Sequence, residues 1–125
     1  MKNLIIDAAN DKIIFSFITE KHSYTTSHTN SRENFDKFMN LLMIFLKENK
    51  IKVDDIERIF VNRGPGKFSS LRISISIAKA ISLTKNISLK GFDSTFIKNG
   101  NYKKLLELGE KDIKINELIK PLYSS

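Results

Sequence analysis

Cysteine and tryptophan are absent from this sequence of 125 residues, which has only two prolines, five glycines and two histidines. Without cysteine there is no disulfide framework, no thiolate nucleophile and no cysteine-ligated metal. No apolar run approaches the ~20 residues that a membrane-spanning helix needs. The first residues, MKNLIIDAAND, reach an acid and a turn after a few apolar positions, so we expect no signal peptide. These absences favour a cytoplasmic protein.

The overall composition is that of a globular domain. Hydrophobic residues make up 41% of the chain and charged residues 28%, which excludes a disordered chain and fits one domain. The formal net charge is +7 and the isoelectric point about 9.6. A basic surface favours a polyanionic partner or an acidic protein surface. A lysine-, asparagine- and isoleucine-rich genome would explain the same charge, and both explanations stay open.

The first 30 residues alternate short apolar runs with turn residues. The runs Lys2 to Ala9 and Lys12 to Thr19 are typical of strands, and Asn10-Asp11 between them suits a turn. They predict a β-hairpin. The polar run from His22 to Thr26 suits a third strand at the edge of the sheet.

A helix is predicted from Arg32 to Asn49. Asn30 or Ser31 would cap it, and Glu33 would complete a capping box with Asn30. Its apolar residues fall on two adjacent faces, of which one suffices to cover a sheet. We expect the other to be exposed as an interaction surface, unless later parts of the chain cover it. The first face contains Phe35, Met39, Leu42 and Leu46, and the surplus face contains Phe38, Leu41 and Phe45.

The stretch from Arg58 to Lys85 is the centre of the predicted fold. A short apolar strand ends at the turn Gly64-Pro65-Gly66, and a long helix follows. Proline fixes φ, while the two glycines permit positive φ or close approach of another backbone. Ser69 or Ser70 would cap the helix. A row of small residues, along which another helix could approach closely, runs along it: Ser70, Ser74, Ala78 and Ser82.

After this helix, the run Ile87 to Phe92 predicts a strand parallel to its predecessor, because a helix connects the two. Asp93 and Ser94 would then cap a short helix from Thr95 to Lys98. Two further helical runs are predicted, Tyr102 to Leu108 and Ile113 to Ile119.

The run from Gly64 to Leu83, GPGKFSSLRISISIAKAISL, resembles the GPGSFTGLRIG…AKGLA signature of the TsaB (YeaZ-like, Gcp-like) family. Lys67, Ser69 and Ser70 replace the usual Ser, Thr and Gly. The matching residues are Gly64, Pro65, Gly66, Phe68, Leu71, Arg72, Ile73, Ala78 and Lys79. Pro121-Leu122-Tyr123 also resembles the P-x-Y sequence near the end of family members.

The resemblance implies an α/β fold, a single actin/Hsp70-like (ASKHA, ribonuclease-H-like) lobe with a mixed sheet. Its elements would follow the order strand–strand–strand–helix–strand–helix–strand, with short C-terminal helices. Residues 1–98 would form this Gcp-like lobe, and residues 99–125 a short helical tail in place of the usual second lobe.

The resemblance also implies a non-catalytic partner subunit of the complex that synthesises tRNA N6-threonylcarbamoyladenosine (t6A). It would bind and support the TsaD-type catalytic subunit as a heterodimer, with a TsaE-type ATPase as a possible further partner. Contact with tRNA would be weak or indirect, no cofactor and no membrane would be involved, and a homodimer could form in isolation. The expected partner interface consists of Phe38, Leu41, Phe45, Ser70, Leu71, Ser74, Ala78 and Ser82, beside the motif turn with Phe68 and Arg72.

Asp7 carries the alternative function, a small ribonuclease-H-like metal-dependent nuclease or phosphohydrolase. In that fold the first strand often ends in a metal-binding aspartate, but two-metal hydrolysis needs several converging acids. The fourth strand ends in Asn62 and Arg63 instead. A structural Asp7 that binds turn backbone is the competing interpretation.

The turn before the long helix offers free amides, which with Asp7 and Lys67 suggests contact with an anion or nucleotide. Its spacing is not that of a Walker motif, and a purely structural turn is the alternative.

His22 and His28 lack the His-x-x-x-His spacing of the TsaD-type metal site, so no metal site is expected. The helix serines have no nearby base, which argues against a peptidase. A free-standing basic RNA-binding module is a third functional class.

Overall fold

Five strands form one mixed sheet in the computed structural model, which describes residues 1–97 and 101–109. The strands are β1 (Asn3–Asp7), β2 (Lys12–Ile18), β3 (Ser23–Thr29), β4 (Arg58–Asn62) and β5 (Ser88–Phe92). Their spatial order is β3-β2-β1-β4-β5. The β1–β2 and β2–β3 pairs are antiparallel, while β1–β4 and β4–β5 are parallel. The predicted hairpin, the polar edge strand and the parallel last strand are therefore confirmed.

β1 occupies the centre of the sheet because its run of three aliphatic residues can be buried on both faces. Leu4 and Ile6 join the larger apolar cluster, and Ile5 joins a smaller one on the opposite face. Ile6 lies opposite Val61 in the parallel pair with β4. The next residues, Asp7 and Asn62, therefore lie side by side at the carboxyl edge of the sheet.

Four helices lie in the described part of the chain: α1 (Arg32–Asp36), α2 (Phe38–Glu48), α3 (Phe68–Lys85) and α4 (Lys103–Gly109). Two 3-10 turns, Val53–Asp55 and Ser94–Phe96, complete the regular structure. Helices α2 and α3 contribute to the larger apolar cluster, whereas α4 contributes Leu105 to the smaller one. None of the helices described here is long and apolar enough to cross a membrane.

The first predicted helix is interrupted at Lys37, where φ is −107° and ψ is 11°. Ser31 is the N-cap of α1, and its side chain accepts a hydrogen bond from the backbone N–H of Asn34. Asn30 is not the cap. It is buried, and its Nδ2 donates to the carbonyl of Ala8 at 3.1 Å, which joins α1 to the first turn of the sheet.

The buried face of α2 differs from the predicted one. Phe38 and Phe45, expected on an exposed surplus face, are 1% and 3% exposed. Both pack against Phe15 of β2, with ring centroids 5.4 Å and 6.1 Å apart. Met39, expected in the core, is 39% exposed, and Leu41 is half-buried. Leu42 and Leu46 are buried as predicted, so the buried face of α2 lies between the two predicted faces.

The small-residue row of α3 also faces inward, contrary to the prediction. Ser70, Ser74 and Ala78 are fully buried, and Ser82 is 4% exposed. Their hydroxyls bond within the chain: Ser74 Oγ donates to the Leu71 carbonyl, and Ser82 Oγ donates to the Ile87 carbonyl. The small residues thus let α3 pack against its own core. α3 begins at Phe68 after Lys67 and has no side-chain N-cap, so the predicted serine caps are wrong.

The structure describes only some of the C-terminal elements that the sequence predicts. The run from Tyr102 to Leu108 is helical as expected, since α4 spans most of it. Ser94–Phe96 forms a 3-10 turn preceded by Asp93, without a side-chain cap. The predicted helix from Ile113 to Ile119 and the Pro121-Leu122-Tyr123 sequence lie outside the described residues. The division into a lobe and a tail stays a prediction.

Candidate functional site

The turn Gly64-Pro65-Gly66 packs directly on the connection between β1 and β2. Gly64 has a φ of 104°, which favours glycine. A Cβ at Gly66 would lie 2.3 Å from the carbonyl oxygen of Ala9, so only glycine permits this approach. The backbone N–H of Lys67 donates to the same carbonyl at 3.1 Å. Both glycines of the motif are therefore explained by backbone conformation and close packing.

Asp7 is the centre of a buried hydrogen-bond network at the carboxyl edge of the sheet. Its residue is 7% exposed. Oδ1 accepts from Asn62 Nδ2 at 2.9 Å, and more weakly from the backbone N–H of Ala9 at 3.5 Å. Oδ2 accepts from the Tyr102 hydroxyl at 2.7 Å. Protein donors thus occupy both oxygens of the carboxylate.

Asn62 connects this carboxylate to the motif turn. Its Oδ1 accepts from the backbone N–H of Gly64 at 2.8 Å and from Ser94 Oγ at 3.0 Å. Ser94 Oγ also lies 3.0 Å from the Pro65 carbonyl, and its backbone N–H donates to the Gly64 carbonyl. We name the set Asp7, Asn62, Ser94 and Tyr102 the polar centre. It joins β1, β4 and the segment after β5 through side chains.

Tyr102 brings the C-terminal part of the chain to the polar centre. Its ring is 5% exposed and lies against Phe92, with 6.5 Å between centroids. Burial raises the pKa of the Tyr102 phenol well above its ordinary value, and the Asp7 carboxylate adds to the rise. The hydroxyl is therefore a protonated donor to Asp7 at any physiological pH.

The predicted anion contact is not assembled by these side chains. Lys67 Nζ pairs with Asp11 at 3.3 Å, and both side chains are at least half exposed. Asp7 instead bonds Asn62 and Tyr102. Contact of Asp7 and Lys67 with an anion stays a prediction. The competing interpretation, a structural aspartate that bonds the turn, describes the contacts seen here.

The two histidines lie apart from the polar centre, on and before β3. His22 is exposed and stacks on Tyr24, with centroids 6.0 Å apart and ring planes 13° from parallel. His28 is half-buried, 6.3 Å from the Phe15 ring. Within residues 1–97 and 101–109, no three histidine or acidic side chains converge as a metal site would require.

A second candidate site is the surface of α2 and α3 that points away from the sheet, which we name the outward face. Its large hydrophobic residues are exposed by 36% to 80%. Phe68 and Arg72 form a cation–π pair, with the guanidinium 5.4 Å from the ring centroid. A shallow groove of about 450 Å³ runs along α3 here. The exposed hydrophobic residues are Met39, Met43, Ile44, Phe68 and Leu83.

Most of the predicted interface residues are not on this surface. Phe38, Phe45, Ser70, Leu71, Ser74, Ala78 and Ser82 are buried in the chain's own core, so the expectation that they are exposed is wrong. Leu41 is half-buried, and Phe68 and Arg72 are exposed. The residues that sequence reasoning missed are Met43, Ile44 and Leu83. For Leu83 the sequence pattern was informative, because Leu83 lies 11 residues after Arg72 and therefore on the same side of the helix.

Comparison with known proteins places the fold and the motif in one family. The family model of the tRNA N6-adenosine threonylcarbamoyltransferase TsaD matches residues 5–95. The tRNA threonylcarbamoyladenosine biosynthesis protein TsaB of Buchnera aphidicola subsp. Schizaphis graminum is 31% identical over 94 residues, which are 75% of this chain and 45% of the relative. The TsaD-type transferase of Syntrophus aciditrophicus is 33% identical over 61 residues, covering 49% of this chain and 18% of its own.

Solved structures show the same fold. YeaZ from Pseudomonas aeruginosa superposes with a TM-score of 0.68 at 16% identity, over 74% of this chain and 43% of its own. The chain thus spans less than half the length of the TsaB and YeaZ proteins that it matches. The single actin/Hsp70-like lobe that the sequence predicted is confirmed. The chain belongs to the family that the TsaD model describes, and its similarity to TsaB and YeaZ proteins confirms the TsaB (YeaZ-like) resemblance found in the sequence.

Proposed function

We propose that this chain is a non-catalytic subunit of the t6A synthesis machinery, which binds and supports a TsaD-type catalytic subunit in the cytoplasm. The TsaB relatives carry the name of this biosynthetic process. Part of the chain also matches TsaD-type transferases, and the TsaD family model matches residues 5–95, so the proposed partner would contain a related lobe. Contact with a TsaE-type ATPase, and weak or indirect contact with tRNA, stay predictions from the family resemblance.

The observation that carries this proposal is the distribution of exposed hydrophobic residues. Among the described residues, six large hydrophobic side chains are at least 36% exposed, and all but Met1 lie on α2 or α3. Helices α2 and α3 contact each other, and large apolar side chains that stay exposed on two adjoining helices favour an interaction site. Burying each of them would contribute ~1.5–3 kcal/mol before the cost of association.

The polar centre supports a structural rather than a catalytic role for Asp7. A metal-dependent hydrolase would need that carboxylate free to bind a cation and further acids nearby. Here Asn62 and Tyr102 donate to it, and the neighbouring strand supplies an amide instead of an acid. The alternative nuclease or phosphohydrolase therefore gains no support from the site.

Co-expression with the TsaD-type subunit of the same organism tests the docking proposal. Leu83→Asp and Ile44→Asp place a charge on the outward face, and both positions are exposed enough, at 80% and 51%, for the fold to tolerate it. We expect each variant to lose co-purification with the partner while its thermal unfolding stays close to wild type. Ser27→Asp on the exposed side of β3 is the matched control, which should bind normally.

The cellular readout is the t6A content of tRNA, measured by mass spectrometry in cells whose own copy of the gene is deleted. Wild type and Ser27→Asp should restore t6A, and Leu83→Asp should not. If a variant that does not bind the partner fully restored the t6A content of tRNA, the result would contradict the proposal. So would unchanged co-purification of both outward-face variants.

A further inference from the structure

β3 lies at the edge of the sheet and lacks the features that prevent an edge strand from pairing with another chain. Its residues, Ser23–Thr29, include no proline and no lysine, arginine, aspartate or glutamate. Proteins commonly protect an exposed edge with such residues or with a β-bulge. The register between β3 and β2 is continuous, so β3 has no bulge. By contrast β5, the strand at the opposite edge, contains Lys90.

The hydrogen bonds around β3 show which of its backbone groups point away from the sheet. The carbonyl of Tyr24 accepts from Ser16 Oγ of β2 at 3.2 Å. The backbone N–H of Asn30 donates to the carbonyl of Asp11 at 3.0 Å, so the even-numbered residues of this segment face β2. Because the backbone direction alternates along a strand, the odd-numbered residues of β3 point outward. Three of these outward positions have no backbone partner among the described residues: Ser23, Thr25 and Ser27.

The unpaired part of this edge ends before Thr29. The carbonyl of Thr29 accepts from the backbone N–H of Ser31 at 2.9 Å and from Asn34 Nδ2 at 2.7 Å. These two donors lie on the outer side of β3, so an added strand can form backbone hydrogen bonds only as far as Ser27. We name Ser23–Ser27 the free edge. Its midpoint is Thr25.

We propose that the free edge pairs with the free edge of a second copy of this chain, antiparallel and centred on Thr25. A two-fold axis at Thr25 sets Ser23 of each copy opposite Ser27 of the other, and these pairs exchange about six backbone hydrogen bonds. Tyr24 then lies opposite Thr26, an aromatic and β-branched pair of the kind that stabilises sheets. No charged side chain lies opposite another in this register, although each copy has a net charge of +7. The proposal does not depend on docking to a TsaD-type subunit, which would use α2 and α3.

Disulfide cross-linking of the full chain tests the register, because the chain has no cysteine of its own. Thr25→Cys would place the Cα atoms of the two copies about 5.5 Å apart, within the range that a disulfide spans. Mild oxidation should therefore give a covalent dimer on a non-reducing gel. Ser23→Cys and Ser27→Cys, oxidised separately, should stay monomeric, since identical positions would lie roughly 14 Å apart. An equal mixture of these two variants should cross-link, because Ser23 lies opposite Ser27 of the other copy.

Sedimentation velocity measures the pairing without a cross-link. A contact limited to the free edge is at the small end of specific interfaces, below ~1,200 Å², so we expect dimer only at about 0.1–1 mM protein. Thr25→Lys sets like charges directly opposite each other and should abolish this dimer. Ser88→Lys makes the same substitution at an exposed position of β5, the other edge strand, and should leave the dimer unchanged.

Three results would overturn the proposal. The first is a folded wild-type chain that stays monomeric at about 1 mM. The second is an equal yield of covalent dimer from Ser23→Cys alone and from Thr25→Cys, which would indicate random collision instead of a fixed register. The third is a dimer that persists in folded Thr25→Lys, because another surface would then form it. Each of these results leaves the proposed docking to a TsaD-type subunit untouched.

Discussion

Removing the hydroxyl of Tyr102 tests the role of the polar centre. Tyr102→Phe leaves the ring against Phe92 but deletes the donor 2.7 Å from Asp7 Oδ2. Because Asp7 is 7% exposed and Tyr102 5%, water cannot easily replace this donor. A hydrogen bond to a charged group contributes about 1.5–3 kcal/mol, so we expect the free energy of unfolding to fall by about 2 kcal/mol. For a domain of this size that lowers the melting temperature by roughly 6–10 °C.

The same bond predicts a pH dependence above neutrality. The pKa of Tyr102 is raised in the folded chain by burial and by Asp7, above the value of about 10 in the unfolded chain. Its contribution is therefore fully present below about pH 10 and is lost as pH rises further, because the unfolded phenol ionises first. The free energy of unfolding should fall more steeply above about pH 10 in wild type than in Tyr102→Phe. Comparing the two proteins cancels the titration of the lysines.

Urea denaturation at several pH values measures both effects. Tyr24→Phe removes the same hydroxyl from a half-buried position on β3 and should change stability by less than about 0.5 kcal/mol. A double-mutant cycle with Asp7→Asn should give a coupling energy of about 1 kcal/mol or more. Additive effects of the two substitutions, or a Tyr102→Phe variant as stable as Tyr24→Phe, would refute the reasoning.

Two further predictions concern packing. Gly66→Ala should destabilise the fold by about 1–3 kcal/mol, because its Cβ would lie 2.3 Å from the Ala9 carbonyl oxygen. An unchanged midpoint of urea denaturation would show that the turn shifts to accommodate the methyl group without loss of stability. Phe45→Ala should cost about 3–5 kcal/mol, since its ring is 3% exposed and packs on Phe15, whereas Met43→Ala, at 36% exposure, should cost less than about 1 kcal/mol. If calorimetry showed that the two substitutions lower the free energy of unfolding equally, Phe45 would lie on an exposed face, as the sequence predicted.

The sheet was predictable because its signals are local. The apolar run of β1 and the turn residues Asn10-Asp11 specify the hairpin, and the helix between β4 and β5 requires their parallel pairing. The two glycines of the motif were likewise recognised as positions of special conformation or close approach. Each of these inferences depends on residues that lie near each other in the sequence.

Which side of each helix packs against the core was not predictable in the same way. Both faces of α2 are apolar, so periodicity alone does not say which one meets Phe15, and the break at Lys37 is not marked by proline or glycine. The small residues of α3 fit close packing against any neighbour, and the neighbour is the chain's own core. Tyr102 reaches Asp7 across 95 positions of sequence, a distance over which no local pattern carries information.

Methyl-resolved NMR of the chain, titrated with its TsaD-type subunit, tests the central claim most directly. If the outward face is the docking surface, the methyl resonances of Met43, Ile44 and Leu83 shift or broaden on binding. The methyls of Leu105, which lies on the opposite side of the sheet, stay unchanged. Binding that perturbs Leu105 and leaves the three outward-face methyls in place would contradict the account.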